Sequence, residues 1–180
     1  MNRKILIVVD MQKDFIDGSL GTKEAQVIVP RVQKLIAGYP VEDVYATKDT
    51  HGPDYLETAE GRQLPVKHCI RNTDGWEFGE ALEILNRVHV IEKPTFGSYE
   101  LVEEMKRLAK KDGIEIEMAG LCTDICVVSN ALLLKAALPE TEIRVFADCC
   151  AGVTPESHEA ALLTMKMCQI QIVQPDAGGR

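Results

Sequence analysis

The chain has 180 residues, 46% hydrophobic and 27% charged, with a formal net charge of −8. That length suits one domain with a sizeable core. The acidic balance argues against nucleic acid as a partner, which needs a basic surface, and no apolar run approaches the ~20 residues that cross a bilayer.

Met1-Asn2-Arg3-Lys4 before Ile5 to Val9 looks superficially like a signal peptide, but the apolar stretch is short and runs into Asp10 without a small-residue cleavage site. It reads as a first strand, Lys4 to Val9, and a cytoplasmic location is expected. The spacing then predicts a helix over Ala25 to Ile36 and a strand over Val44 to Ala46. Lys48 to Gly75 shows little periodicity and holds two of the four histidines; such long irregular segments are commonly functional. A helix at Glu77 to Leu85, a strand at Val88 to Ile91, a helix at Ser98 to Lys110 and a strand at Ile114 to Ala119 follow. Asp124 to Ala136 reads as helix, Ile143 to Ala147 as strand, Pro155 to Met167 as helix and Ile170 to Val173 as strand. The tail Pro175 to Arg180 is expected to fray. Alternation of this kind, with strands apolar almost throughout, predicts an α/β fold. The expected architecture is a doubly wound, mostly parallel six-stranded sheet with helices on both faces, in one domain spanning 1–180.

Asp10, Asp49, Lys93 and Cys122 to Cys126 each fall just past the C-terminal end of a predicted strand, the edge where open parallel sheets bind ligands. In Gly120-Leu121-Cys122-Thr123-Asp124-Ile125-Cys126-Val127, Thr123 is a candidate N-cap. Cys126 would then lie in the first helical turn, where free N–H groups and the helix dipole favour a thiolate and lower its pKa. Taken alone, Cys126 reads equally as a small buried hydrophobe. Asp10 reads equally as a turn cap, and Lys93 as a surface lysine beside Pro94. Together the three make a base, a cation and a nucleophile. The other cysteines, Cys69, Cys122, Cys149, Cys150 and Cys168, are expected to be reduced, with Cys149 and Cys150 packing residues.

Asp49-Thr50-His51 puts two ligand-type side chains on one side of an extended segment, and His68 can complete a face of a metal site. Glu57 and Glu60 lie between the histidines as possible further ligands. His89 and His158 read as structural.

Val8-Val9-Asp10-Met11-Gln12-Lys13-Asp14-Phe15, Lys93-Pro94 and Gly120 to Val127, in that order, resemble the isochorismatase-like cysteine hydrolases, and Asp49-x-His51 with His68-Cys69 resembles their nicotinamidase branch. The resemblance runs from Ile5 to about Val173. It implies a metal-assisted cysteine amidohydrolase that converts nicotinamide to nicotinate and ammonia through a thioester. Asp10, Lys93 and Cys126 would be catalytic, and the backbone N–H groups of Cys122 and Cys126 would form an oxyanion hole after a cis Leu121–Cys122 bond. Asp49, His51, His68 and Glu60 would hold a divalent metal, zinc first, with manganese or iron as alternatives. The implied partners are a small amide and further copies of the chain in a homo-oligomer. Phe15, Leu64 and Trp76 are the candidate substrate walls; Leu64 stands where nicotinamidases often carry an aromatic residue. The competing readings are hydrolysis of another small amide, such as a carbamoyl or ureido compound, and a non-catalytic binding protein on the same fold.

Overall fold

The computed structural model describes residues 2–174, so the expectation for Pro175 to Arg180 lies outside the described residues. Six strands, β1 (Arg3–Val9), β2 (Val44–Asp49), β3 (His89–Lys93), β4 (Ile114–Leu121), β5 (Ile143–Ala151) and β6 (Gln171–Val173), form one sheet in the order β3-β2-β1-β4-β5-β6. Every neighbouring pair is parallel, so the sheet is wholly rather than mostly parallel.

The continuous apolar run of β1 follows from its position at the centre. Ile5, Ile7 and Val9 face α4 (Tyr99–Asp112) and α5 (Val128–Ala137), while Leu6 and Val8 face α2 (Lys23–Ile36). Both faces of the strand are thus dry. In α2 the buried residues Ala25, Ile28, Val32 and Ile36 recur every three or four positions, and Thr22 caps the helix by accepting from the Ala25 N–H at 3.0 Å. Ser98 caps α4 in the same way, and α6 (Pro155–Met167) opens on a Thr154–Ser157 capping box with Pro155 at its first position.

Several elements depart from expectation for identifiable reasons. Glu80–Arg87 forms 3₁₀ turns broken at Leu82, not the α-helix expected over Glu77 to Leu85. Its two buried residues, Leu82 and Leu85, are three apart, the spacing that a 3₁₀ turn eclipses. The expected helix at Asp124 begins as a π-turn, Thr123–Val127, before α5. Thr123 is not an N-cap: it is fully buried, and its hydroxyl pairs with His158 Nδ1 at 2.8 Å. The irregular 48–75 segment holds one short helix, α3 (Ala59–Gln63), besides isolated 3₁₀ turns, and α1 (Lys13–Ile16) follows β1. Strands β2 and β3 run on to Asp49 and Lys93, which are register partners.

The order of strands reverses between β1 and β4, so the loops leaving their C-terminal ends diverge and open a crevice. Close approach there requires Gly120, with φ +127°, because a Cβ would come 2.1 Å from the Val9 carbonyl oxygen. On the far side of β4, buried Glu117 accepts from Tyr39 and from Arg144 (3.0 Å) and pairs with Lys4 (3.4 Å), so its charge is matched. Among the described residues no helix is long and apolar enough to cross a membrane.

Candidate active site

Asp10 follows β1, Lys93 ends β3 and Cys126 sits in the π-turn after β4, and all three are buried at the crevice. Lys93 Nζ lies 2.6 Å from Asp10 Oδ2 and 3.4 Å from Cys126 Sγ, with further contacts to Thr95 O at 3.1 Å and Asp49 Oδ1 at 3.5 Å. Asp10 takes φ +46°, a left-handed conformation that costs a non-glycine roughly 1–2 kcal/mol. Its Oδ1 accepts from Thr47 at 2.6 Å. Its Oδ2 meets Lys93 without hydrogen-bond geometry and is the buried side-chain polar atom that lacks a hydrogen-bond partner among the described residues.

The electrostatics correct one expectation. Burial pushes the Cys126 thiol well up, and the neighbouring Asp10 charge adds to that, overriding Lys93, which favours the thiolate. Burial of Cys126, which is 4% exposed, works against the lowering expected of a helix-start position. Burial likewise raises Asp10, against Lys93 and with Asp49. For Lys93, burial disfavours the ammonium but the acidic groups beside it, Asp10 first, outweigh it, so its pKa is raised.

Beside this trio, ligand atoms of Asp49, His51, Glu60 and His68 all lie within 4.8 Å of one another. His51 Nε2 is 2.9 Å from Asp49 Oδ2, and His68 Nε2 is 3.6 Å from both Asp49 Oδ2 and Glu60 Oε1. A carbonyl only accepts, so His68 Nδ1–H donates to Val66 O (2.8 Å) and leaves Nε2 facing the cluster. Glu60 rather than Glu57 joins the group, carried by α3. Gly61 lets α3 pack this close, since a Cβ would meet the Tyr55 carbonyl oxygen at 2.0 Å. The fully buried Tyr55 ring stands 4.7 Å from His51 and 4.9 Å from His68, and its hydroxyl donates to Leu64 O at 2.9 Å. Burial disfavours the Asp49 anion, yet hydrogen bonds from His51 and His68 and the charge of Lys93 hold its carboxyl below the usual range. Two imidazoles and two carboxylates converging on one point fit a divalent cation.

Cys126 of the trio and Asp49, Glu60 and His68 of the cluster line one cavity of about 250 Å³, near the low end for small-molecule sites. Its polar end is Asp49, Glu60, His68, Cys122 and Cys126; Phe15, Leu20, Leu64, Phe96, Ile125 and Val153 are its apolar walls. A larger groove of about 410 Å³ lies between α2 and the start of α6, but it touches none of Asp10, Lys93 or Cys126. Phe15 and Leu64 line this cavity. Trp76 does not: its indole N–H donates to Thr50 (2.8 Å) and its ring faces Lys48 Nζ at 3.7 Å, so it braces the strand behind Asp49. The Leu121–Cys122 peptide is cis.

The sequence model of the isochorismatase domain matches residues 4–174. The chain belongs to the isochorismatase family. A nicotinamidase of Schizosaccharomyces pombe is 28% identical to this isochorismatase-family chain, over 93% of it and 91% of the relative. A pyrazinamidase of Pyrococcus horikoshii, solved in complex with zinc, superposes with a TM-score of 0.77 at 29% identity, covering 96% of this chain and 99% of that one. An Arabidopsis thaliana protein named a "probable inactive nicotinamidase" is also 28% identical, over 89% and 87%, so relatedness alone does not decide whether a member turns over.

Sequence reasoning passed over four residues that shape the isochorismatase-family site. Gln12 anchors Asp49, Tyr55 packs on both cluster histidines, Phe96 walls the cavity and Asn130 ties Phe96 to Cys126. Asn130 carried a signal: it is a polar residue followed directly by the apolar run Ala131 to Leu134.

Proposed function

We propose that the chain is a single catalytic domain, a metal-assisted cysteine amidohydrolase, and that its substrate is nicotinamide. The observation that carries the reading is Lys93 Nζ, which touches Asp10, Cys126 and Asp49 at once and so joins a nucleophile–base pair to a four-ligand cluster on one cavity.

In this reading Asp10, paired with Lys93, takes the Cys126 proton through its carboxylate. The raised thiol pKa is why a base is needed: the thiolate forms only as the sulfur attacks. Sulfur adds to the carboxamide carbon, and the backbone N–H groups of Cys122 and Cys126 receive the oxyanion. Asp10 returns the proton to the leaving nitrogen, ammonia departs and a thioester remains on Cys126. Asp10 then deprotonates a water that attacks the thioester, and nicotinate leaves with the thiol restored. Throughout, Lys93 keeps two carboxylates and a transient thiolate compatible in a dry site. Asp49, His51, His68 and Glu60 would hold a divalent cation, zinc first with manganese or iron as alternatives, which supplies a Lewis-acid docking point for a ring nitrogen. Phe15 and Leu64 flank the substrate between that point and Cys126.

A second substrate reading rests on Leu64. Its aliphatic side chain, with Leu20, Ile125 and Val153, gives a wall that suits a non-aromatic carbamoyl or ureido amide as well. The test is ammonia release from nicotinamide by purified, reduced protein, before and after chelation with zinc or manganese add-back. Metal-dependent release supports nicotinamide; release only from carbamoyl or ureido amides transfers the assignment to them. No release from any amide by metal-loaded protein supports a non-catalytic role.

A further inference from the structure

We infer that Asn130 is a positioning residue that clamps the nucleophile turn to the loop walling the substrate cavity. The inference rests on the amidohydrolase reading for its kinetic consequences, and on geometry alone for its effect on the Cys126 thiol.

Asn130 is fully buried on α5, one turn past Cys126. Its carboxamide is satisfied on both sides: Nδ2 donates to Cys126 O at 2.8 Å and Phe96 O at 3.0 Å, and Oδ1 accepts from the Ser98 N–H at 2.9 Å. One side chain therefore joins the backbone of the nucleophile to both ends of a three-residue loop. That loop, with Thr95 just before it, does two things at the site. Phe96 is a cavity wall, and Thr95 O accepts from Lys93 Nζ, the group 3.4 Å from Cys126 Sγ. Gly97 presses the same loop onto α5, where a Cβ would come 2.5 Å from Leu133. A shift of the loop thus moves the wall and the cation together, and the amide of Asn130 keeps both in register with the sulfur. Two donors and one acceptor in a planar group are what this position uses; Asp offers no donor when ionised, and Ser offers one.

The experiment compares wild type with Asn130→Ala, Asn130→Asp and Asn130→Ser, the last keeping one donor in case the others fail to fold. Native circular dichroism and Tm identify the folded variants. Two readouts follow: kcat and KM on the amide the wild type turns over, and the rate of Cys126 alkylation by iodoacetamide, mapped by peptide mass. In folded Asn130→Ala, kcat is expected to fall about tenfold or more through misalignment, and KM to rise about fivefold for the lost wall contact. In Phe96→Ala the Asn130→Ala change should no longer raise KM while still lowering kcat, a split that general destabilisation does not give. Alkylation of Cys126 should slow several-fold, with Asn130→Ser intermediate. Folded variants with kcat, KM and alkylation all within about twofold of wild type would overturn the inference; so would faster alkylation, which would make Asn130 a mere plug over the thiol. If the wild type releases ammonia from no amide, the amidohydrolase reading fails separately. Alkylation then decides alone: slower supports the clamp, unchanged or faster ends it.

Discussion

Gln12 clasps both main-chain groups of Asp49: its Nε2 donates to the Asp49 carbonyl at 2.9 Å and its Oε1 accepts from the Asp49 N–H at 2.7 Å. The second Nε2 proton goes to Trp76 O at 2.9 Å, so a fully buried amide is completely used. Asp49 is the residue through which the ligand cluster reaches Lys93, and its backbone is set by a side chain from the neighbouring strand's end.

Gln12→Leu should therefore weaken the cluster without touching it. Leaving the Asp49 N–H and carbonyl unpaired costs roughly 1–3 kcal/mol each, and Tm should drop by several degrees. Zinc affinity measured by competition with a chromophoric chelator should fall about tenfold or more. An unchanged affinity in a destabilised variant would confine Gln12 to the fold.

Cys126→Ala should lose on the order of a thousandfold or more in kcat while keeping native circular dichroism, because only a sulfur is removed from a buried turn. A variant that keeps most of its ammonia release would point to direct attack by water and retire the thioester.

Chelation should abolish turnover and lower stability together. Saturating zinc at about a thousandfold excess over Kd adds roughly 4 kcal/mol, or roughly 10 °C in Tm for a chain of this size. The expected shift disappears in His68→Ala, whose Nε2 faces the cluster. A Tm indifferent to zinc in the wild type would count against the cluster as a metal site.

Leu64→Phe tests the aliphatic wall. A stacked ring adds about 1 kcal/mol to an aromatic ligand, so KM for nicotinamide should fall about fivefold with kcat little changed. An increased KM would mean that the cavity lacks room beside Phe15 and Phe96.

Acid should expose the role of Glu117. Burial opposes its charge, but hydrogen bonds from Tyr39 and Arg144 and the charge of Lys4 outweigh it and hold the carboxyl below its ordinary 4.5. A folded-state pKa that is depressed means the contribution is complete above 4.5 and is lost as pH falls through the folded value. Glu117→Gln should lower Tm at pH 7 by an amount near that of one charge-assisted hydrogen bond, roughly 2 kcal/mol. Its Tm should then approach that of the wild type as the pH falls below 4.5. Parallel Tm curves from pH 7 to pH 3 would show that the ion cluster is not what Glu117 contributes.

The sheet and the candidate trio were legible because they are written in short stretches. A strand buried on both faces must be apolar, so Ile5 to Val9 ends visibly at Asp10, and the same holds for the approach to Cys122. By contrast, β3 is an edge strand with His89 and Val90 exposed, and it shows Lys93 only as its last residue. Asp49, His51 and His68 were readable as ligand types. Their convergence was not, because Glu60 reaches them only through the short helix α3 and the packing of Tyr55.

Residue order and polarity alone were sufficient for the α/β alternation, the edge on which the polar groups gather, and the set Asp10, Lys93 and Cys126. Tertiary structure decided the rest. It placed Trp76 behind Asp49 and Phe96 in the cavity, turned the start at Thr123 into a π-turn braced by His158, and buried Cys126, which pushes its thiol pKa up. Those outcomes depend on desolvation and on partners far apart in the chain, and neither is a property of any local pattern of residues.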